Sequence, residues 1–243
     1  MLRIIGTYTM VMLSFLSILP FLSFPMMATV SPASLEDVLI QLETLSETLP
    51  HELDGDRLVE LDAIANWIAN RPLDSSVELI FICTHNSRRS HMSQVWAQAA
   101  AWHYGLEQVH TYSGGTEATA FNPRAIQALR NLGVGITQTK PGSNPSYAVQ
   151  LQPGQPSFEA FSKKYSDPSN PSEGFAAIMT CSQADESCPL VYGAGARFAV
   201  PYVDPKSSDN TPVEAETYRT RALQIGSEMF YIMKQAASII QHQ

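Results

Sequence analysis

The chain reads as an α/β protein in which four parallel strands are flanked by helices, with a helical hairpin added at the amino end and a β-hairpin or long loop inserted. Three observations predict this. Apolar or β-branched runs at 77–82, 109–113, 175–180 and 197–200 alternate with helix-patterned segments at 90–104, 123–132 and 212–240, and such alternation builds a parallel sheet with helices on its faces. The 243 residues, 44% hydrophobic and 16% charged, suffice to bury one sizeable core. Ligands of open parallel sheets bind at the carboxyl ends of the strands, and Cys83 and Cys181 stand at two such ends.

Residues 1–30 carry a single charge, Arg3, ahead of an apolar stretch from 11 to 27 that Pro20 and Pro25 interrupt, with small residues at Ala28 and Ala33. This fits a secretory signal peptide or a membrane anchor. The expected location is therefore exported or membrane-anchored on the periplasmic side, with a cytoplasmic protein as the alternative. Residues 31–75 form a helical extension. Ser34-Leu35-Glu36-Asp37 reads as an N-cap with an acidic first turn, and Leu35, Val38, Leu39, Leu42 and Leu45 recur at helical spacing until Pro50. Leu58, Leu61, Ile64, Ala65, Trp67 and Ile68 mark a second helix ended by Pro72. The pair predicts a hairpin that covers the catalytic domain as an extra layer, a lid or partner-docking element being the alternative.

Residues 76–243 hold the catalytic domain. In its second helix, Asn122 and Pro123 set a cap and first turn, and Gly133 marks the stop. An insertion at about 138–172 contains two β-like pieces, 147–151 and 158–165, separated by Gln152-Pro153-Gly154-Gln155-Pro156. It reads as a surface insertion, and shaping substrate access is the alternative. Thr211-Pro212-Val213-Glu214 has the form of a capping box for the last helix.

The chemistry begins at Cys83-Thr84-His85-Asn86-Ser87-Arg88-Arg89-Ser90, where five residues separate the thiol from Arg89. A strand delivers the sulfur, the amides of Thr84, His85, Asn86, Ser87 and Arg88 curl around a tetrahedral anion, and Arg89 closes the ring as a planar bidentate donor. The helix starting near Ser90 points its positive end at the same spot, favouring thiolate over thiol. The balance of 15 basic and 23 acidic residues, net −8, argues against a general nucleic-acid binder. An anionic substrate must be attracted locally. No bound cofactor or metal is expected: zinc wants four ligands at familiar spacings, and His85, His91, His103 and His110 offer none with these cysteines.

The cradle, the downstream Asp204-Pro205 and the segment Cys181-Ser182-Gln183-Ala184-Asp185-Glu186-Ser187-Cys188-Pro189 resemble the thioredoxin-coupled arsenate reductases, built on the low-molecular-weight protein tyrosine phosphatase fold. The resemblance runs from about residue 77 to 241 and leaves the first 75 or so uncovered. It implies that Cys83 is the nucleophile, that Ser90 hydrogen-bonds its thiolate, that Asn86 braces the loop, and that Asp204 is the general acid, held in its loop by Pro205. It implies further that Cys181 attacks the Cys83 adduct and Cys188 then attacks Cys181, so that thioredoxin or another thiol donor restores the enzyme. The six residues between Cys181 and Cys188 suit a mobile loop. A static disulfide is the competing reading of that pair.

Two positions depart from the pattern. His85 stands where a glycine is common, adding a possible donor near the anion, and Arg88 stands where the reductases often carry a further cysteine, adding charge that favours dianions generally. Arsenate or a phosphate monoester is the expected substrate. Reduction of arsenate through all three cysteines ranks first, phosphatase action by Cys83, Arg89 and Asp204 second, and a catalytically silent oxyanion-binding module third.

Overall fold

The computed structural model describes residues 34–72, 75–152, 154–187 and 190–243. The expected signal or anchor at 1–30 lies outside the described residues. Along the described chain run α1 (Leu35–Glu52), α2 (Gly55–Ala69), β1 (Val77–Cys83), α3 (Arg89–His103), β2 (Val109–Gly115), α4 (Pro123–Asn131), β3 (Gly135–Lys140), β4 (Ser146–Gln150), β5 (Phe158–Ala160), β6 (Ala176–Met179), α5 (Ser182–Ser187), β7 (Ala196–Ala199), a 3₁₀ turn (Pro205–Ser208) and α6 (Glu214–Gln241).

The four strands β2-β1-β6-β7 form the expected parallel sheet, with Leu79 opposite Thr111 on one side and Ala176 on the other. Alternate side chains of a strand face opposite ways, and both faces here are covered. Val77, Leu79, Phe81, Ala176 and Ile178 enter the larger core beneath α1, α2, α3, α4 and α6. Ile80, Ile82, Ala177 and Met179 enter a smaller one with Phe175, Cys181, Ala184 and Val191. Double coverage is why β1 and β6 read as nearly unbroken apolar runs. Strand β2 is a sheet edge, and α3 satisfies it with two buried glutamines: Gln94 and Gln98 donate to the carbonyls of Thr111 and Val109 at 3.0 and 3.2 Å, and Gln98 accepts from the Thr111 amide.

Helix α1 starts as expected, the Ser34 hydroxyl accepting from the Asp37 amide. It runs past Pro50 to Glu52, because a proline in the last turn removes a single helical donor and the Leu53 amide still reaches the Leu49 carbonyl at 2.9 Å. The two helices do not make the expected hairpin. Each packs chiefly on α6 instead, and Val38, Leu42, Leu61 and Ile64 belong to the same core as the sheet. Gly133 contributes to this docking. It has φ +84°, and a Cβ there would meet the Leu35 amide nitrogen at 2.4 Å, so the end of α4 and the start of α1 approach backbone to backbone.

The inserted hairpin has a third strand that the sequence pattern hides: β3-β4-β5 is an antiparallel sheet, with Ile136 opposite Val149 and Val149 opposite Phe158. The capping box before α6 is not formed. The Thr211 hydroxyl donates to Ser208 O, while Glu214 accepts from the Asn210 amide and pairs with Arg124.

Candidate active site

β1 ends at Cys83 and α3 begins at Arg89, so the cradle is the connection between them. Four of its carbonyls are taken by groups outside the loop: Cys83 O by the Thr116 amide, Thr84 O by the Glu117 amide and the Thr116 hydroxyl, His85 O by the hydroxyls of Thr119 and Ser162, and Ser87 O by the Asn122 amide. Turning these carbonyls outward leaves the amides of Thr84, His85, Asn86 and Arg88 to the inside, and among the described residues no amide of 84–88 donates to another protein group. Gly115 permits this wrapping. A Cβ there would meet Glu117 O at 2.2 Å, Asn86 N at 2.8 Å and Thr84 O at 2.8 Å.

The turn hinges on Asn86, which is fully buried and has φ 43°, a left-handed conformation that asparagine tolerates better than most residues. Its Oδ1 accepts from the Lys163 amide at 2.8 Å, and its Nδ2 donates to Ser90 Oγ at 2.9 Å. Ser90 Oγ lies 3.1 Å from Cys83 Sγ. With one lone pair already engaged by Asn86, the hydroxyl proton is free to point at the sulfur.

Arg89 reaches across the mouth, its Nη1 donating to Tyr202 O at 2.9 Å and its Nη2 to Asp204 Oδ2 at 2.8 Å. Asp204 also caps the 3₁₀ turn by accepting from the Lys206 amide. Cradle arginine and acid are thus brought together, although the two terminal nitrogens face the acid loop rather than closing the ring as expected. Arg88 is a correction. Its guanidinium turns outward to Tyr218 Oη at 2.8 Å and Asp209 at 3.4 Å, so only its backbone faces the cradle. A helix start can present one of two adjacent arginines to the loop, and the first points the other way. His85 adds no donor to the cradle either, its exposed ring lying 3.7 Å from Glu117.

The second thiol is adjacent. Both the amide and the hydroxyl of Thr180 donate to Ile82 O, at 2.7 and 3.0 Å, tying the end of β6 to that of β1. Cys181 follows, its sulfur 3.5 Å from Thr84 Oγ1 and accepting from the Ala184 amide at 3.3 Å. Cys83 and Cys181 are both reduced, buried and in one apolar cluster. Cys188 lies outside the described residues. The stretch before it is helical rather than the expected mobile loop: α5 spans Ser182–Ser187, and Arg197 pins it through the carbonyl and carboxylate of Asp185.

Several residues that shape the site carried no sequence signal. Ser162 and Lys163, at the end of the insertion, hold the loop through His85 O and Asn86, and the Gly115 amide donates to Lys163 O. The insertion is therefore part of the loop's scaffold, not a tolerated surface segment. Burial lowers the Lys163 ammonium to about 8, and the same surroundings keep His91, stacked 3.9 Å from Phe121, well below the usual imidazole range, burial leading and the Lys163 charge adding.

Residues 78–147 match the family model described as low molecular weight phosphotyrosine protein phosphatase. The chain is 27% identical over 113 residues to Arsenate reductase 2 of Staphylococcus haemolyticus, covering 46% of this chain and 66% of that protein. It is 39% identical over 64 residues to an arsenate reductase of Bacillus licheniformis, covering 26% and 43% respectively. The chain thus spans less than two thirds of these relatives. A low molecular weight phosphotyrosine phosphatase from Vibrio cholerae O395 is a structural neighbour at 15% identity and TM-score 0.44, covering 65% of this chain and 95% of that one, too loose a likeness to bear on the site. Residues 78–147, which carry the Cys83 loop and its flanking strands and helices, are thus the part of the chain that is similar to the low molecular weight phosphotyrosine protein phosphatases and, at modest identity, to arsenate reductases.

Proposed function

We propose that this protein is a thiol-dependent oxyanion enzyme that reduces arsenate to arsenite. The observation that carries the reading is the contact between a second reduced thiol and the nucleophile loop, Cys181 Sγ lying 3.5 Å from Thr84 Oγ1. The Cys83 sulfur attacks As(V), and a hydroxide leaves as water after taking a proton from Asp204. The Cys181 thiolate then attacks Cys83 Sγ, the electron pair of the S–As bond passes to arsenic, and arsenite departs from a Cys83–Cys181 disulfide. Cys188 attacks Cys181, freeing Cys83 and forming a Cys181–Cys188 disulfide. A thioredoxin-like dithiol reduces that bridge and is itself oxidised.

An anion that engages both terminal nitrogens of Arg89 must displace Tyr202 O and Asp204, so substrate entry releases the acid that the chemistry needs. The Arg89–Asp204 pair also supports a second reading, hydrolysis of phosphate monoesters through a phosphocysteine that water resolves. Arsenate is incubated with the protein, thioredoxin and thioredoxin reductase, and arsenite is measured. Multiple turnovers are expected from the wild type and none from Cys83→Ser, Cys181→Ser or Cys188→Ser. If the last two keep the wild-type rate, the route through the resolving cysteines is refuted; if the wild type yields no arsenite above Cys83→Ser, reduction itself is refuted, and cleavage of p-nitrophenyl phosphate by both resolving-cysteine variants would then establish the second reading. Export or membrane anchoring through residues 1–30 is a separate proposal, tested by mass spectrometry of the native amino terminus.

A further inference from the structure

The segment that carries Asp204 has little packing of its own. Val203 is 70% exposed, while Tyr202 before the carboxylate, at 4%, and Pro205 after it are buried. Tyr202 is held at four points. Its amide donates to Thr180 O at 3.1 Å and its carbonyl accepts from Arg89 at 2.9 Å, while its hydroxyl donates to Glu228 Oε2 at 2.7 Å and its ring lies 4.8 Å from the Arg57 guanidinium. Arg57 also pairs with Glu228 at 2.7 Å and donates to Pro201 O at 3.2 Å. One guanidinium on α2 therefore touches the backbone at the start of the acid segment, the ring of its buried tyrosine, and the buried carboxylate that fixes that ring. Glu228 is inaccessible to solvent and Arg57 is 14% exposed, so both groups are held in a low-dielectric setting where a paired charge fixes geometry strongly. Other charges around the cluster are Arg89 and Arg221.

We infer that Arg57 is a positioning residue for Asp204, which makes the amino-terminal helical extension part of the machinery that protonates the leaving group. This rests on the reading of Asp204 as the general acid.

The test uses aryl phosphates that differ in leaving group, followed as kcat/KM and as single-turnover phenol release, so that only the step forming the phosphocysteine is read. Protonation matters for phenyl phosphate and hardly at all for 2,4-dinitrophenyl phosphate. Asp204→Asn is expected to lose about a hundredfold on the first ester and less than about threefold on the second. Arg57→Met should show the same selectivity at reduced size, about tenfold on phenyl phosphate and less than about twofold on the other. Because Arg57→Met leaves Glu228 buried without its cation, Arg57→Met/Glu228→Gln is measured beside it, and the same selective loss is expected with the charge imbalance removed. Equal losses on both esters, or none, in the Arg57 variants while Asp204→Asn remains selective would overturn the inference and leave the acid assignment standing. An unselective Asp204→Asn, or a wild type that releases no phenol from either ester, would overturn both.

Discussion

Lys163 offers a quantitative test of how the insertion supports the loop. The residue is 4% exposed and, among the described residues, makes no ion pair, its ammonium facing the Phe161 ring at 4.6 Å. Burial lowers it from 10.5 to about 8. At about 1.4 kcal/mol per pH unit, holding that charge at pH 7 costs about 3 kcal/mol. The sign follows from which state binds the proton more tightly. The unfolded chain does, so stability is highest above 10.5, falls as pH drops towards 8, and below 8 the loss is complete and constant. Lys163→Met keeps the length and the ring contact, and it leaves the backbone bonds to Asn86 and Gly115 untouched. Deducting about 1 kcal/mol for the lost cation–ring attraction, the variant should be about 2 kcal/mol more stable than wild type at pH 7. By pH 10 the advantage should shrink below about 1 kcal/mol. Urea unfolding at the two pH values and fixed ionic strength measures this. A variant less stable than wild type by the same amount at both would refute the reasoning.

Other expectations follow from the loop and its surroundings. Asn86→Ala removes two buried hydrogen bonds and leaves alanine at φ 43°, so unfolding free energy should fall by about 3 kcal/mol in denaturant titrations, with turnover lost as Ser90 is released. Gly115→Ala places a Cβ 2.2 Å from Glu117 O and should lower stability by about 2 kcal/mol or more, seen as a depressed melting temperature. His91 is buried and held well below 6.5, so the unfolded chain takes up the proton first. Wild-type stability should therefore decline as pH falls below about 6.5, and His91→Gln should flatten that slope in unfolding measured from pH 7 to 5.

The parts legible in the sequence are those governed by neighbours along the chain. The four strands fall within a residue or two of their expected bounds; β1 and β6, buried on both faces, read as nearly unbroken apolar runs. Asn122 caps α4 through the Arg124 amide, as its place before Pro123 implies. Strand β3 escaped because Gly135–Lys140 buries only Ile136 and draws its order from pairing with β4. The failed capping box has a similar cause, since Glu214 is claimed by Arg124 from another helix.

By itself, the sequence determined that a thiol would stand at a strand end with an arginine six positions on, and that another cysteine would end a second strand. Local periodicity and the topology of parallel sheets dictate both. Only the tertiary structure decided which of two adjacent arginines faces the mouth, that Ser162 and Lys163 brace the loop, and that Arg57 and Glu228, 171 positions apart, meet beneath the acid segment. Those arrangements arise where distant elements bury polar groups together. A buried donor must find an acceptor wherever the packed chain supplies one, and linear spacing carries no record of that choice.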